Sequence, residues 1–303
     1  MNTHDIEAFV AVVETGSIVA ASARLHLTQP GISRRVQSLE DRLGVTLLER
    51  QSKPLKPTAA GKEVYEHGRR VLGSVADLLA GVAPGAEPSG EFRLGVPPFL
   101  AEQALLEPID QLRREFPKLT LRITAGWSPA LVAMVESNAI DAAAVLLADD
   151  VMPPTTLAME LLGHQKPLIV APPQLLLSEG ELSLRELASH PWVLNQDGCG
   201  MRRAIHRALD AARLPFDVAV EAFGTELQLS LVARGMGIGV VTPAALARSP
   251  LRNQVRVLTV PECQAGVNAW LIHARSPGRL AEPIARFRQG LSEVLEEEGR
   301  LGL

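Results

Sequence analysis

Ile6, Phe9, Val10 and Val13 recur at helical spacing through residues 3–16, with Asp5 and Glu7 where the positive end of a helix favours acidic side chains. Gly16 stops this helix. Ser17 caps a second, short helix to about Leu25, whose Ala20, Ala21 and Ala23 carry so little bulk that a neighbouring helix can approach closely. Beyond a turn at His26 and Leu27, Thr28 caps a third helix over residues 28–43, in which Ile32, Val36, Leu39 and Leu43 share one apolar face. After Gly44, residues 45–58 read as two short strands around a basic turn. A long helix then runs from Thr58 toward Val82. Val64, Val71 and Leu78 are spaced by seven, and Val75 and Val82 lie four beyond the last two, a two-helix seam interrupted at Gly68. Few apolar residues nearby can cover that seam, so a second copy of the chain is expected to do so. The Pro- and Gly-rich residues 83–90 form a linker.

From Glu91 the pattern alternates. Strands are predicted at 92–96, 119–125 and 142–147 with helices at 101–116 and 129–137. A second set follows, with strands near 168–171, 192–194, 218–222 and 238–241 and helices near 183–188, 201–212 and 225–234. A strand at 267–273 and a helix at 280–298 return to the first set. Such alternation predicts mainly parallel sheets covered by helices. The expected fold class is thus α+β multidomain: a DNA-binding helix-turn-helix unit over 1–58, a linker helix over 59–90, and a two-part α/β unit over 91–303. Subdomain I of that unit takes 91–163 and 267–303, and subdomain II takes 164–266. Ligands of open α/β sheets lie beyond the strand carboxyl ends, so the turns 97–100, 126–128, 195–202 and 223–225 should line a cleft. Pro98, Phe99, Trp127, Ser128, Asn195, Met201, Arg202 and Thr225 are the candidate contacts. Ser128 and Thr225 are expected helix caps that can also face a ligand. Arg202 offers a bidentate fork for a carboxylate, against the alternative of a surface pair with Asp197. The prolines and aromatics favour a small organic acid over an inorganic anion.

With 303 residues, 47% of them apolar, the chain can bury more than one core, and a formal charge of −4 argues against nucleic-acid coating along its whole length. Charge is concentrated instead. Between residues 24 and 56, Arg24, Arg34, Arg35, Arg42, Arg50, Lys53 and Lys56 face only Glu40, Asp41 and Glu49. The polar face of the third helix presents Gln29, Pro30, Ser33, Arg34, Arg35 and Gln37: Gln pairs with adenine, Arg with guanine, Ser with phosphate. By itself this would be a solvated helix face; the small-residue helix and tight turn before it make it a reading helix. Arg50, Lys53 and Lys56 then lie on a wing that supplies salt-sensitive affinity. Two cysteines, Cys199 and Cys263, form no disulfide framework, no histidine spacing suits a metal, no apolar run spans a membrane, and the first residues lack an export signal. A cytoplasmic protein with no metal, no cofactor and no membrane partner is expected.

The run GSIVAASARLHLTQPGISRRVQSLEDRLGVTLLERQSKPLKPTAAG, residues 16–61, resembles the DNA-binding signature of LysR-type transcriptional regulators, in which a small-residue helix, S-R, L-E, L-G-V, an E-R wing start and a P-T-x-A-G junction recur in this order. Ile18 and Leu48 stand where that family often has Phe, and both keep the position apolar. The resemblance implies a winged helix-turn-helix with Gln29, Pro30, Ser33 and Arg34 facing the groove beside Thr28 and Arg35, and Arg50 and Lys53 on the wing. It implies a dimerisation helix after Thr58, and a periplasmic-binding-protein-like effector domain of two subdomains. The implied partners are double-stranded promoter or operator DNA, a small-molecule effector that closes the cleft, and further copies in a homodimer or homotetramer, with RNA polymerase open as another. A cytoplasmic ligand receptor without DNA regulation is the competing class, and a redox sensor using Cys199 a second. No pair of titratable residues forms a catalytic arrangement, so an enzyme is not expected. Gly235, Gly237 and Gly239 open a strand rather than a helix, unlike a dinucleotide fingerprint.

Overall fold

The structure is a computed structural model that describes residues 2–49, 52–81, 87–103, 105–175, 180–263 and 266–301. Val82, residues 83–86 of the expected linker and Arg50 lie outside them. The chain divides into two compact units, Met1–Ala86 and Glu87–Leu303.

In the first unit, α1 (Thr3–Thr15) starts at Asn2, whose side chain accepts the His4 N–H while Asp5 reaches back to the Asn2 amide, and it ends at Gly16 with φ 64°. Ser17 caps α2 (Ile18–Arg24), and Thr28 caps α3 (Gln29–Leu43), which stops at Gly44 with φ 70°. Ile6, Phe9, Val12, Ala21, Ile32, Val36, Leu39 and Leu47 form one buried cluster between them. Leu43 does not join it and is 40% exposed, because the cluster ends one turn earlier, at Leu39. Beside Leu39 the helix instead buries Glu40, whose carboxylate accepts the Leu47 N–H at 2.7 Å and ties the helix to the strand that follows.

Two short antiparallel strands, β1 (Leu48–Glu49) and β2 (Lys56–Pro57), make the wing. The Leu55 N–H donates to the Gly16 carbonyl at 2.9 Å, fastening the wing to the α1–α2 corner. In α4 (Ala59–Gly81) Val64, Tyr65 and Leu72 pack on the cluster. A Cβ on Gly68 would stand 2.7 Å from Ile6 Cγ2, so the glycine that interrupts the apolar seam lets α1 and α4 pack closely there. Farther along, Leu78 and Leu79 are exposed by 68% and 63%.

The second unit opens with β3 (Gly90–Val96), α5 (Pro98–Gln103), α6 (Leu106–Glu115), β4 (Leu119–Ala125), α7 (Ser128–Glu136), β5 (Ala142–Ala148), β6 (Ala158–Gln165) and β7 (Leu168–Ala171). There follow α8 (Leu184–Ala188), β8 (Trp192–Asn195), α9 (Gly200–Ala211), β9 (Val218–Ala222), α10 (Thr225–Ala233), β10 (Gly239–Val241), α11 (Pro243–Arg248), β11 (Arg256–Leu258), β12 (Val267–His273) and α12 (Ala281–Leu301). One sheet has the order β4-β3-β5-β12-β6. The other half holds β10-β7-β11 and the pair β8-β9, joined by a bridge from Trp192 to Ile238.

The sheets are mixed rather than mainly parallel. β3 runs parallel to β4 and β5, but β12 is antiparallel to β5 and β6, and β10 and β11 are antiparallel to β7. β6 carries the chain out toward the second half and β12 brings it back, so the returning strand must run the other way. The expected single helix over 101–116 is two. Pro108 has no N–H and cannot sit inside a helix, but it is accommodated in the first turn of α6. The strands β6 and β11 and the helix α11, which no apolar periodicity marks, were not anticipated.

Candidate functional site

On the first unit, the Thr28 hydroxyl accepts the Gly31 N–H at 3.2 Å and fixes the start of α3. Gln29, Pro30, Ser33 and Arg34 are exposed and Arg35 is half-buried, so the polar face stands clear of the core that Ile32, Val36 and Leu39 make. Gln37 donates to Asp41 at 2.7 Å. Lys53 and Lys56 are exposed on the wing. Ser33, Arg34, Val36, Gln37 and Glu40 of α3 border a groove of about 420 Å³ whose other walls are Ile18, Leu48 and Leu55, so helix and wing flank one depression.

In the second unit, Pro97, Pro98, Phe99, Trp127, Ser128, Leu146, Asn195, Cys199, Gly200, Met201, Gly224 and Thr225 surround one cavity. Seven of the eight candidate contacts are among them, and Arg202 is not. Its guanidinium donates to Glu221 Oε1 at 2.6 Å and to the Asn195 carbonyl at 3.1 Å, which holds it against β8 and β9. Neither the carboxylate grip nor the pair with Asp197 is what the structure shows. Glu221, on the strand paired with β8, reaches the guanidinium instead. Among the described residues no charged side chain lines the cavity.

Ser128 and Thr225 are the first residues of their helices rather than caps; Trp127 and Gly224 hold the cap positions. The Ser128 hydroxyl both donates to the Leu146 carbonyl and accepts the Leu146 N–H, each at 2.9 Å, stitching α7 to β5. Asn195 accepts the Gly224 N–H at 3.0 Å and donates to Gln228 at 2.9 Å. Gln228 is 1% exposed and donates onward to the Val193 and Val240 carbonyls, each at 3.0 Å. Asn195 and Gln228 therefore shape the wall by holding the start of α10 against β8. Gln228 was missed because on α10 it looks like any polar helix residue; only the packing shows that it points inward.

Gly200 also has a structural reason: a Cβ there would lie 2.5 Å from the Leu146 carbonyl oxygen, where α9 meets β5. The Cys199 thiol beside it is buried, and desolvation raises its pKa, opposed in part by the N–H groups of Arg202 and Met201. The walls leave a free volume of only about 10 Å³, roughly one water.

Helix termini supply the cavity's polarity. α1, α2, α3, α8 and α11 each begin with a side chain accepting a first-turn N–H. α7, α9 and α10, all starting at this cavity, have no such cap, and neither does α6, which starts elsewhere. Their leading N–H groups and dipoles make the cavity electropositive without a cation.

A helix-turn-helix with a wing, joined in sequence to a two-lobed α/β unit with a cavity between its lobes, defines a ligand-responsive DNA-binding regulator. Residues 3–62 match the bacterial regulatory helix-turn-helix protein of the lysR family, and residues 85–296 match the LysR substrate binding domain. The chain is 30% identical to the RuBisCO operon transcriptional regulator of Allochromatium vinosum, over 100% of this chain and 99% of that one. It is 27% identical to the hydrogen peroxide-inducible genes activator of Pectobacterium carotovorum subsp. carotovorum, over 98% and 100%. A full-length OxyR from Pseudomonas aeruginosa shares its fold with a TM-score of 0.69 at 18% identity, over 96% of this chain and 94% of that one. The chain belongs to the LysR family of DNA-binding transcription regulators, whose action is modulated by effector ligands. Among the described residues no helix is long and apolar enough to cross a membrane.

Proposed function

We propose that this regulator responds to a small organic acid held in the cavity between the lobes of its effector unit, mainly by backbone amides rather than by an arginine. The observation that carries this is the convergence of three uncapped helix starts, α7, α9 and α10, on one cavity. Pro98, Phe99, Trp127 and Met201 supply apolar walls for the carbon skeleton, and Thr225 supplies a hydroxyl. Arg202 instead braces β9 against β8. In this reading residues 1–58 hold DNA through Thr28, Gln29, Pro30, Ser33, Arg34, Arg35, Arg50 and Lys53. Residues 59–90 pair two copies through the exposed end of α4, so that two reading helices engage half-sites about one helical turn or a multiple apart. Residues 91–303 bind the effector in the cytoplasm, with bounds between subdomains near 163 and 267. The cavity leaves room for about one water in this structure, so the effector acts by shifting how often and how far the lobes part rather than by closing an open cleft.

A thermal-shift series of small carboxylates, each beside its primary amide, tests this. An acid that stabilises the effector unit while its amide does not supports the reading; stabilisation by amides as strong as by acids refutes it. Peroxide sensing at Cys199 has less support, because the thiolate is the reactive form and burial raises the thiol's pKa.

A further inference from the structure

We propose that the two lobes of the effector unit are latched shut over the cavity by an ion pair between Asp150 and Arg207 together with the indole of Trp127, and that release of this latch controls access to the cavity. Asp150 follows β5 in the first lobe and Arg207 lies on α9 in the second; their side chains meet in an ion pair that bridges the lobes. Trp127 precedes α7 in the first lobe. Its Nε1 donates to Gln196 Oε1 of the second lobe at 3.1 Å, and its ring meets Phe223 edge-on, with centroids 5.9 Å apart and planes at 77°. Behind the indole, the position a Cβ would take on Gly198 is 3.0 Å from Trp127 Cβ, so backbone of the second lobe lies directly against it.

All four contacts involve loops that follow strands β4, β5, β8 or β9, and Arg207 on α9 meets the loop after β5. Asp150 and Arg207 have side chains 68% and 46% exposed, and Phe223 is 57% exposed, so none of them is core to either lobe. With about 10 Å³ free inside, a molecule larger than a water needs the surrounding walls to move before it fits. Trp127 is the larger element of the latch, since it combines a hydrogen bond, a ring contact and cover for Gly198. The exposed ion pair is the smaller, as screened pairs are.

The latch supplies the regulation of the effector site proposed above and rests on that reading for its purpose, but its mechanics can be measured without any effector. Cys199 lies on the cavity wall and is buried, so its alkylation by iodoacetamide in the full-length protein reports opening. In a Cys263→Ser background, which leaves Cys199 the sole thiol, Trp127→Ala should raise the alkylation rate about tenfold or more. Asp150→Asn and Arg207→Gln should each raise it roughly two- to fivefold. The exchanged pair, Asp150→Arg with Arg207→Asp, should return it to near the parent rate. Melting temperature is followed in parallel. Parent-like rates in Trp127→Ala and both pair variants, or accelerations that track loss of melting temperature whichever contact is removed, overturn the latch. Failure of the carboxylate series with these rate changes intact would refute only the effector chemistry.

Discussion

Replacing Ile32 and Arg34, two residues apart on α3, should separate the fold from the reading. Ile32 is 0% exposed at the centre of the first unit's core, so Ile32→Ala removes buried methylenes and leaves a cavity, at a cost of about 2–5 kcal/mol. For a unit of this size roughly 1 kcal/mol shifts melting by about 4–8 °C, so the first unit should melt at least about 8 °C lower. Arg34 is exposed and has no part in that core, so Arg34→Ala should change stability by no more than about 0.5 kcal/mol. If its guanidinium pairs bidentately with a guanine, losing it should cost about 1–3 kcal/mol of operator binding, or roughly 5- to 150-fold in Kd, and relax preference at one base pair. If it meets only phosphate, binding should weaken for all sequences and the salt dependence should become shallower by about one ion. Calorimetry on each variant, with fluorescence anisotropy on duplexes that the parent protein selects from a random pool, distinguishes these outcomes. Unchanged affinity, preference and salt dependence in Arg34→Ala would remove α3 as the reading helix.

Leu78→Glu, on the exposed end of α4, should convert the assembled protein to monomer in sedimentation without lowering the melting of the first unit; a persisting dimer would place the pairing surface elsewhere. Gln228→Leu strands the Val193 and Val240 carbonyls and frees the Asn195 amide, and should destabilise the effector unit by roughly 3 kcal/mol in urea unfolding, against under about 0.5 kcal/mol for an exposed polar residue. The raised Cys199 pKa means that the folded unit holds its thiol proton more tightly than the unfolded chain does. Its contribution to stability is therefore full below the unfolded thiol pKa and is lost as pH rises through the folded value. Melting should show an alkaline decline that Cys199→Ala reduces, and identical alkaline profiles would contradict the burial. Dilute hydrogen peroxide at neutral pH should leave operator binding unaltered in both parent and Cys199→Ser.

The first unit was legible because its chemistry is local. Caps at Ser17 and Thr28, stops at Gly16 and Gly44, and apolar residues at helical spacing each act within a few positions, so α1, α2, α3 and the wing can be read in order, along with the polar face that carries Gln29, Ser33 and Arg34. Even there, Leu43 falls outside the core and Glu40 inside it. Periodicity gives a direction around the helix but not where the neighbouring helix ends or which backbone amide waits for a carboxylate. In the effector unit the sequence determined which turns meet, since strand ends in α/β sheets point to a common edge, and seven of the eight chosen residues do line the cavity. It could not determine what each side chain does there. Arg202 is drawn to Glu221, Ser128 to Leu146 and Asn195 to Gln228, through partners 18 to 33 residues away in sequence. The direction of β12, the mixed sheets, the closeness of Gly200 to Leu146 and the lobe-spanning contacts of Trp127 and Arg207 belong to the same class. Backbone propensity and capping are written along the chain, whereas competition among polar groups for partners is settled only when distant segments pack and water leaves.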